Sequence, residues 1–240
     1  MKIVDKICKK QADIYAAPAV TIALLGDSVT QGCFECFTTA EDKVDTVFDA
    51  DCSYGSKLKS MLNLLYPKVT FNVINAGISG QKAKDGLKRL DRDVLPYHPD
   101  LVVVAFALND ATEGLAGLKG YEEAMSEIIR KVRAQGAECI VLTPNMMNTS
   151  ISDQLKEKPL LKFAKTMKDL QESGMLDRYA EKARTIAEKE GAVLCDVYAK
   201  WKKMAAAGVN VTDILANKLN HPIRAMHYLT AMMLCDCILG

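Results

Sequence analysis

Short apolar runs alternate with amphipathic stretches along most of the chain, and this alternation constrains the fold more than any other feature. The runs are rich in β-branched residues and end at turns or charges, which is typical of buried strands. They are Val20–Leu25, Val69–Ile74, Leu101–Phe106, Cys139–Leu142 and Val193–Asp196. The stretches with helical spacing are Tyr54–Leu65, Tyr121–Gln135, Met175–Glu190 and Arg224–Leu239. This order predicts right-handed crossovers and a parallel sheet covered by helices on both faces.

The length and hydrophobic content predict one domain. A chain of 240 residues that is 49% hydrophobic can bury a single large core, so we expect residues 1–240 to form one unit, with 1–19 as a lead-in segment. Two connections, Cys33–Ser53 and Asn145–Ser173, exceed the usual loop length and should lie at the carboxyl edge of the sheet. The first is acidic, with Glu35, Glu41, Asp42, Asp45, Asp49 and Asp51. Both segments either cover that edge or form the walls of a substrate site.

A serine follows the first apolar run. Ser28 stands three residues beyond Leu25, between Gly26 and Gly32, which allow a tight backbone path. Because ligands bind at the carboxyl ends of parallel strands, this position suits a nucleophile. The alternative is a turn serine that caps the next helix.

Three further short blocks follow Gly26-Asp27-Ser28. They are Asn75-Ala76-Gly77 with Ser79-Gly80, then Asn109-Asp110, then His221-Pro222. In order and spacing the four blocks resemble those of the SGNH hydrolases, the GDSL esterase/lipase superfamily, from about Thr21 to the end of the chain. The resemblance implies a flavodoxin-like three-layer α/β/α fold with a five-stranded parallel sheet.

The resemblance also implies an oxyanion hole built from the Ser28 N–H, the Gly77 N–H and the Asn109 side-chain amide. Without the other blocks, Gly77 would be an ordinary turn glycine and Asn109 a helix cap. The family carries glycine where this chain has Ala107, a small change that should leave Asn109 in place.

His221 is the candidate general base for Ser28. The chain has three histidines. His98 precedes the third strand and should lie at the opposite edge of the sheet, and His227 should pack or cap on the last helix. By elimination His221 takes the role.

The acid that usually orients this histidine is missing. SGNH hydrolases commonly place an aspartate three residues before the histidine, where this chain has Lys218. Either a main-chain carbonyl near Asn217 or Lys218 orients the ring, which we favour, or Asp213 folds back to do so. The structural alternative for Asp213 is an N-terminal helix charge.

The eight cysteines are interpreted as reduced thiols, several of them in the core. Cys33 and Cys36 form a C-x-x-C pair, and a zinc site completed by Cys235 and Cys237 is a weaker alternative. We therefore expect no metal and no organic cofactor.

The charge pattern excludes several partners. A net charge of +1 with interleaved signs leaves no basic stripe for nucleic acid. No apolar run reaches transmembrane length and none resembles a signal peptide, so we expect a cytoplasmic protein without membrane contact. Homo-oligomerisation is left open.

These features together predict a serine esterase. It would cleave a small acyl group, best an acetyl group, from a sugar or another polar molecule through an acyl-enzyme. A thioesterase or lysophospholipase remains an alternative, and so does a carbohydrate-binding pseudoenzyme, because Lys218 replaces the acid.

Overall fold

Five parallel strands form the central sheet of the computed structural model, which describes residues 1–40 and 43–240. Glu41 and Asp42 of the acidic segment lie outside the described residues. The strands are β1 (Val20–Gly26), β2 (Cys33–Thr38), β3 (Val44–Phe48), β4 (Phe71–Gly77), β5 (Leu101–Ala105), β6 (Glu138–Leu142) and β7 (Val193–Cys195). The sheet order is β4-β1-β5-β6-β7, and β2 pairs with β3 in a separate antiparallel hairpin. Counted along the main sheet this is the flavodoxin-like order 2-1-3-4-5, which confirms the predicted fold class.

Two groups of helices flank the sheet. Over the described residues the helices are α1 (Lys2–Ala12), α2 (Ser28–Gln31), α3 (Tyr54–Leu65), α4 (Ala83–Asp93), α5 (Gly114–Ala134), α6 (Lys158–Glu172), α7 (Met175–Glu190), α8 (Val197–Ala206) and α9 (Arg224–Leu239). Helix α3 packs on α9, and α5 packs on both α4 and α7. Strands β1 and β5 are almost entirely buried between them, as the apolar runs predict.

Most predicted elements are confirmed, and the differences have physical reasons. Helices α3, α7 and α9 begin and end where their spacing predicts, whereas α5 begins seven residues early, at Gly114 rather than Tyr121. Helix α4 is absent from the prediction because seven of its eleven residues are charged, which hides the helical spacing of Ala83, Leu87 and Leu90. The lead-in segment contains α1, which buries Ile3 and Ile7.

The two long connections contain more regular structure than the sequence indicates. Cys33–Ser53 contains the hairpin β2–β3, and Asn145–Ser173 contains α6. Both nevertheless reach the carboxyl edge of the sheet, as predicted, because residues from each line a cavity beside Ser28. Within the part of the chain that the structure describes, no helix combines the length and apolar character that a membrane span requires.

Candidate active site

Ser28 is positioned by the abrupt change from strand to helix at the end of β1. It is the first residue of α2, and the N-cap before it is Asp27, whose side chain accepts a hydrogen bond from the Val29 N–H at 3.0 Å. The cap is therefore Asp27 and not Ser28, so the helix-cap alternative for the serine is wrong. Ser28 is 4% exposed. As the first helical residue, it has a main-chain N–H that the helix leaves without an internal acceptor.

Ser28 and His221 are hydrogen-bonded to each other. The His221 Nε2 lies 3.0 Å from the Ser28 Oγ, and its Nδ1 lies 3.0 Å from the Phe34 carbonyl oxygen. A carbonyl can only accept, so Nδ1 carries the proton and Nε2 is free to accept the serine proton. This is the tautomer that a general base requires.

Burial keeps the His221 ring neutral. The side chain lies inside the protein, at 6% exposed, and desolvation lowers its pKa to about 4, although the Phe34 carbonyl opposes the shift. The ring is thus an unprotonated base throughout the neutral range.

The partner of His221 differs from both sequence-based alternatives. Both ring nitrogens are occupied, and neither partner is Asp213, which lies exposed in the 3-10 helix Val211–Ile214. The Lys218 side chain is not a ring partner either, and its Nζ donates to the Asp213 main-chain carbonyl at 3.1 Å. A main-chain carbonyl does orient the ring, but it belongs to Phe34 rather than to Asn217 or Lys218. The hairpin that carries Phe34 is far away in sequence, so no local spacing could indicate it.

Asn217 organises the loop that ends in His221. Its Oδ1 accepts the N–H groups of Leu219, Asn220 and His221 at 2.9 to 3.0 Å. Its Nδ2 donates to the Asn220 side chain at 3.0 Å. One buried amide therefore fixes a whole turn of main chain, a role that the sequence analysis missed.

The structure separates the two glycines of the second block. A Cβ on Gly77 would stand 2.3 Å from the Gln31 nitrogen, so this glycine lets β4 approach α2, and its N–H donates to the Asn75 Oδ1 at 3.0 Å. Gly77 does not line the cavity beside Ser28, whereas Gly80 does. Gly80 adopts a φ of 77°, and no acceptor within residues 1–40 and 43–240 bonds its N–H. The predicted oxyanion role of Gly77 therefore does not fit the geometry.

Asn109 lines the same cavity, and its Nδ2 donates to the Gln81 carbonyl at 3.0 Å. This bond ties the third block to the second one. Two residues before it, Ala107 has a φ of 141°, a conformation that favours glycine. The departure from the family's glycine is therefore accommodated with backbone strain, while Asn109 stays in place.

The cavity has a volume of about 400 Å³ and lies between the hairpin, α6 and the His221 loop. Ser28, Gly80, Asn109 and His221 lie together along it. Its apolar wall is formed by Val44, Phe48, Phe163 and Leu219, and its polar wall by Asp45, Thr46, Ser79, Asn217 and Asn220. Such a mixed lining can hold a small, partly polar molecule.

Buried charges support the site from beneath. Arg89, 5% exposed, donates to the carbonyls of Gly26 and Ala76 at 2.9 and 2.6 Å, so it joins the carboxyl ends of β1 and β4.

Burial raises the pKa of Asp27 to about 7 and that of Asp110 to about 6. Two carboxyl groups next to the site residues Ser28 and Asn109 are therefore easily protonated.

The remaining histidines lie where the sequence places them. His98 is exposed immediately before β5, at the opposite edge of the sheet. His227 is buried in α9; its ring packs on Phe34, and its Nδ1 accepts the Tyr54 N–H at 2.9 Å. It therefore caps α3 rather than its own helix.

The cysteines do not assemble the alternative zinc site. All eight are free thiols in the structure. Across residues 1–40 and 43–240, no three His, Cys, Asp or Glu side chains lie close enough together to hold a metal ion. Cys36 instead lines the cavity, where its sulfur is 3.4 Å from the Asn217 Nδ2.

Known proteins resemble this one in sequence and in fold. An acetylxylan esterase of Geobacillus stearothermophilus is 21% identical over 192 residues, which are 76% of this chain and 78% of that protein. A lipase/acylhydrolase from Enterococcus faecalis superposes with a TM-score of 0.67 at 20% identity, covering 91% of this chain and 95% of the other.

Two structures of Axe2, an acetylxylan esterase from Geobacillus stearothermophilus, share the fold as well. They are catalytic mutants, one with a serine and one with a histidine replaced by alanine. Each gives a TM-score of 0.63 at 18% identity and covers 92% of this chain and 94% of Axe2. The sequence model of the GDSL-like lipase/acylhydrolase family matches residues 24–229, which is most of the chain. The protein therefore belongs to the GDSL-like lipase/acylhydrolase family, a family of ester hydrolases.

Proposed function

We propose that this protein is a serine esterase that removes a small acyl group, preferably an acetyl group, from a carbohydrate through an acyl-enzyme. The observation that carries the proposal is the 3.0 Å hydrogen bond between the Ser28 Oγ and the His221 Nε2, with the opposite ring nitrogen held by the Phe34 carbonyl. Nucleophile, base and orienting group are thereby connected in one line.

In the first half-reaction the Ser28 Oγ attacks the ester carbonyl carbon while His221 Nε2 takes the hydroxyl proton. The resulting imidazolium keeps its Nδ1–H on the Phe34 carbonyl. It then gives the Nε2 proton to the departing alcohol oxygen, and the ester C–O bond breaks. In the second half-reaction, water attacks the acyl carbon with His221 again as base, which releases the carboxylic acid and restores Ser28.

The oxyanion of each tetrahedral intermediate needs preorganised donors. We assign the Ser28 N–H, the Gly80 N–H and the Asn109 Nδ2 to this role. Gly80 replaces the Gly77 of the sequence analysis because it faces the cavity and its N–H is not engaged within the described chain.

The substrate assignment rests on the cavity and the relatives. A volume of about 400 Å³ with a mixed lining suits a short acyl group on a polar alcohol. Acetylxylan esterases occur both among the sequence relatives and among the structural neighbours. An acetylated sugar satisfies both observations.

The test compares Ser28→Ala and His221→Ala with the unmodified protein on acetylated xylo-oligosaccharides and on nitrophenyl esters of increasing chain length. Each variant should lose several orders of magnitude in kcat while circular dichroism shows an intact fold, because the two residues act as a unit. A fluorophosphonate should label Ser28. Absence of labelling would favour a binding module, and a preference for long acyl chains would favour a lysophospholipase or thioesterase.

A further inference from the structure

The group that orients His221 lies on an element outside the main sheet. Phe34 belongs to the hairpin β2–β3, whose strands, as far as the structure describes the chain, pair with each other and with no strand of the main sheet. Between Cys33 and Cys36 the pairing register of the hairpin shifts, and Phe34 and Glu35 lie in this irregularity. The regular ladder therefore does not hold the Phe34 carbonyl, since bulged residues are left out of the pairing. Packing of the buried Phe34 ring on His227 and the Thr46 Oγ1 hydrogen bond to the Glu35 carbonyl at 3.0 Å hold part of this segment, and the contacts of Arg224 add to them.

Arg224 contacts the irregular segment in two ways. Its guanidinium carbon lies 4.3 Å from the centroid of the Phe34 ring, and its two terminal nitrogens bond the Glu35 carboxylate at 2.6 and 3.2 Å. The third nitrogen, Nε, bonds Asp49 at 2.9 Å, immediately after β3 ends. The guanidinium nitrogens thus bond one residue of the hairpin and the residue that directly follows it.

Arg224 also belongs to the histidine's own segment. It is the first residue of α9 and stands three positions after His221. One side chain therefore connects the segment that carries the base to the segment that carries its hydrogen-bond acceptor. The planar guanidinium suits this task, because it can pair with a carboxylate through two bonds and stack on an aromatic ring at the same time.

The charges around Arg224 favour its pairing with Glu35 and Asp49. Hydrogen bonds from Arg224 hold the pKa of Glu35 and that of Asp49 below their usual values, so both carboxylates stay ionised at neutral pH. The pairs are partly exposed, with 39% of the Arg224 side chain accessible, and exposed ion pairs add little to the free energy of unfolding. The main effect of these ion pairs is therefore to fix the position of the irregular hairpin segment rather than to stabilise the fold.

We infer that Arg224 is a positioning residue for catalysis: it holds the irregular segment of the hairpin so that the Phe34 carbonyl accepts the His221 Nδ1 proton. This inference rests on the proposed function for its kinetic part only. In this chain the clamp does for a main-chain carbonyl what a fixed side-chain carboxylate does for the histidine of a complete triad.

The test measures turnover and the ring proton separately. Arg224→Ala should lower kcat about ten- to a hundredfold with KM nearly unchanged, because a displaced carbonyl leaves the base misaligned rather than the substrate unbound. In protein labelled with ¹⁵N-histidine, the His221 Nδ1–H resonance should weaken or disappear. Arg224→Lys should retain more of the kcat and of the Nδ1–H resonance than Arg224→Ala does, since lysine keeps the charge but loses the two-bond pairing and the stacking on the ring.

A matched control is Arg130→Ala. Arg130 forms a two-bond pair with Glu190 on the surface, at 2.9 and 2.6 Å, and does not line the cavity. It should change neither kcat nor the resonance. If Arg224→Ala folds poorly, the double variant Glu35→Gln with Asp49→Asn removes the charges from the hairpin side and should show the same loss.

Two results would overturn the inference: a normal kcat with an unchanged Nδ1–H resonance in Arg224→Ala, or an equal loss in Arg130→Ala. The resonance does not depend on activity, and Ser28→Ala should retain it. A protein that is inactive on every ester but still shows an Arg224-dependent resonance would refute the proposed function and leave the positioning role supported.

Discussion

The pH dependence of hydrolysis tests the buried dyad most directly. Burial lowers the His221 pKa from its ordinary value of 6.5 to about 4, so the base stays neutral as the pH falls and becomes protonated only near pH 4. At pH 5.5 an ordinary histidine would be roughly one-tenth neutral, whereas a histidine with the lowered pKa would be nearly all neutral. The relative kcat/KM at pH 5.5 should therefore be about tenfold higher than an exposed base would allow.

The assay is initial-rate hydrolysis of nitrophenyl acetate from pH 4 to 8, followed at the isosbestic wavelength of nitrophenol, with circular dichroism recorded at each pH. Asp27 requires a control, because burial raises its pKa to about 7 and its ionisation next to Ser28 could add a second step. Asp27→Asn removes that step and can still accept the Val29 N–H. Asp110, whose pKa burial raises to about 6, is replaced by asparagine in the same variant, where the amide can still accept the Ala83 N–H. If kcat/KM of this folded variant decreases as the pH is lowered from 6.5, His221 is solvated or paired with a carboxylate, and the reasoning fails.

Three further predictions follow from individual residues. Ala107→Gly should change stability by no more than about 1 kcal/mol in either direction, because the relief of about 1–3 kcal/mol of strain at a φ of 141° is offset by extra chain entropy and a lost methyl that together cost about 2 kcal/mol. Thermal melting checks this, and Ala23→Gly, at a buried strand position with ordinary φ, should destabilise the protein. Asp213→Asn and Lys218→Asp should each keep most of the kcat on nitrophenyl acetate, because neither side chain bonds a His221 ring nitrogen; a thousandfold loss in either folded variant would contradict the carbonyl-oriented dyad. Gly80→Ala should mainly lower kcat, because it changes a proposed oxyanion donor. Gly77→Ala should mainly lower the melting temperature, because its Cβ would meet the Gln31 backbone. The reverse pattern would return the oxyanion role to Gly77.

The sequence predicts the sheet well because apolar strand runs are a strong signal. All five main strands occur where such runs occur, within a few residues. The hairpin β2–β3 escapes prediction because it mixes cysteines, phenylalanines and charges without strict alternation. Helix α8 escapes for a related reason, since its ten residues follow β7 directly and bury only Val197, Tyr198 and Trp201.

At the site, the side chains could be predicted, whereas two of the main-chain groups could not. Ser28, Asn109 and His221 come together as their motifs indicate. The Phe34 carbonyl has no sequence signal, because every residue carries one and only the three-dimensional path of the hairpin selects it. The choice between Gly77 and Gly80 likewise depends on which N–H faces the cavity. Arg224 could have been noticed as a charge beside the histidine, but its acidic partners lie more than 170 residues away.

Placing the acceptor for His221 on a two-stranded hairpin separates the integrity of the site from that of the sheet. An isolated two-stranded hairpin has little stability of its own, and such small elements open locally more often than a molecule unfolds as a whole, although the buried Cys33 and Phe34 anchor the start of this one. Each local opening would remove the Phe34 carbonyl while the five-stranded core stays intact. The fraction of molecules competent at any moment would then depend on the local opening equilibrium of strands β2 and β3, and substrate seated against Val44 and Phe48 would shift that equilibrium toward the closed form.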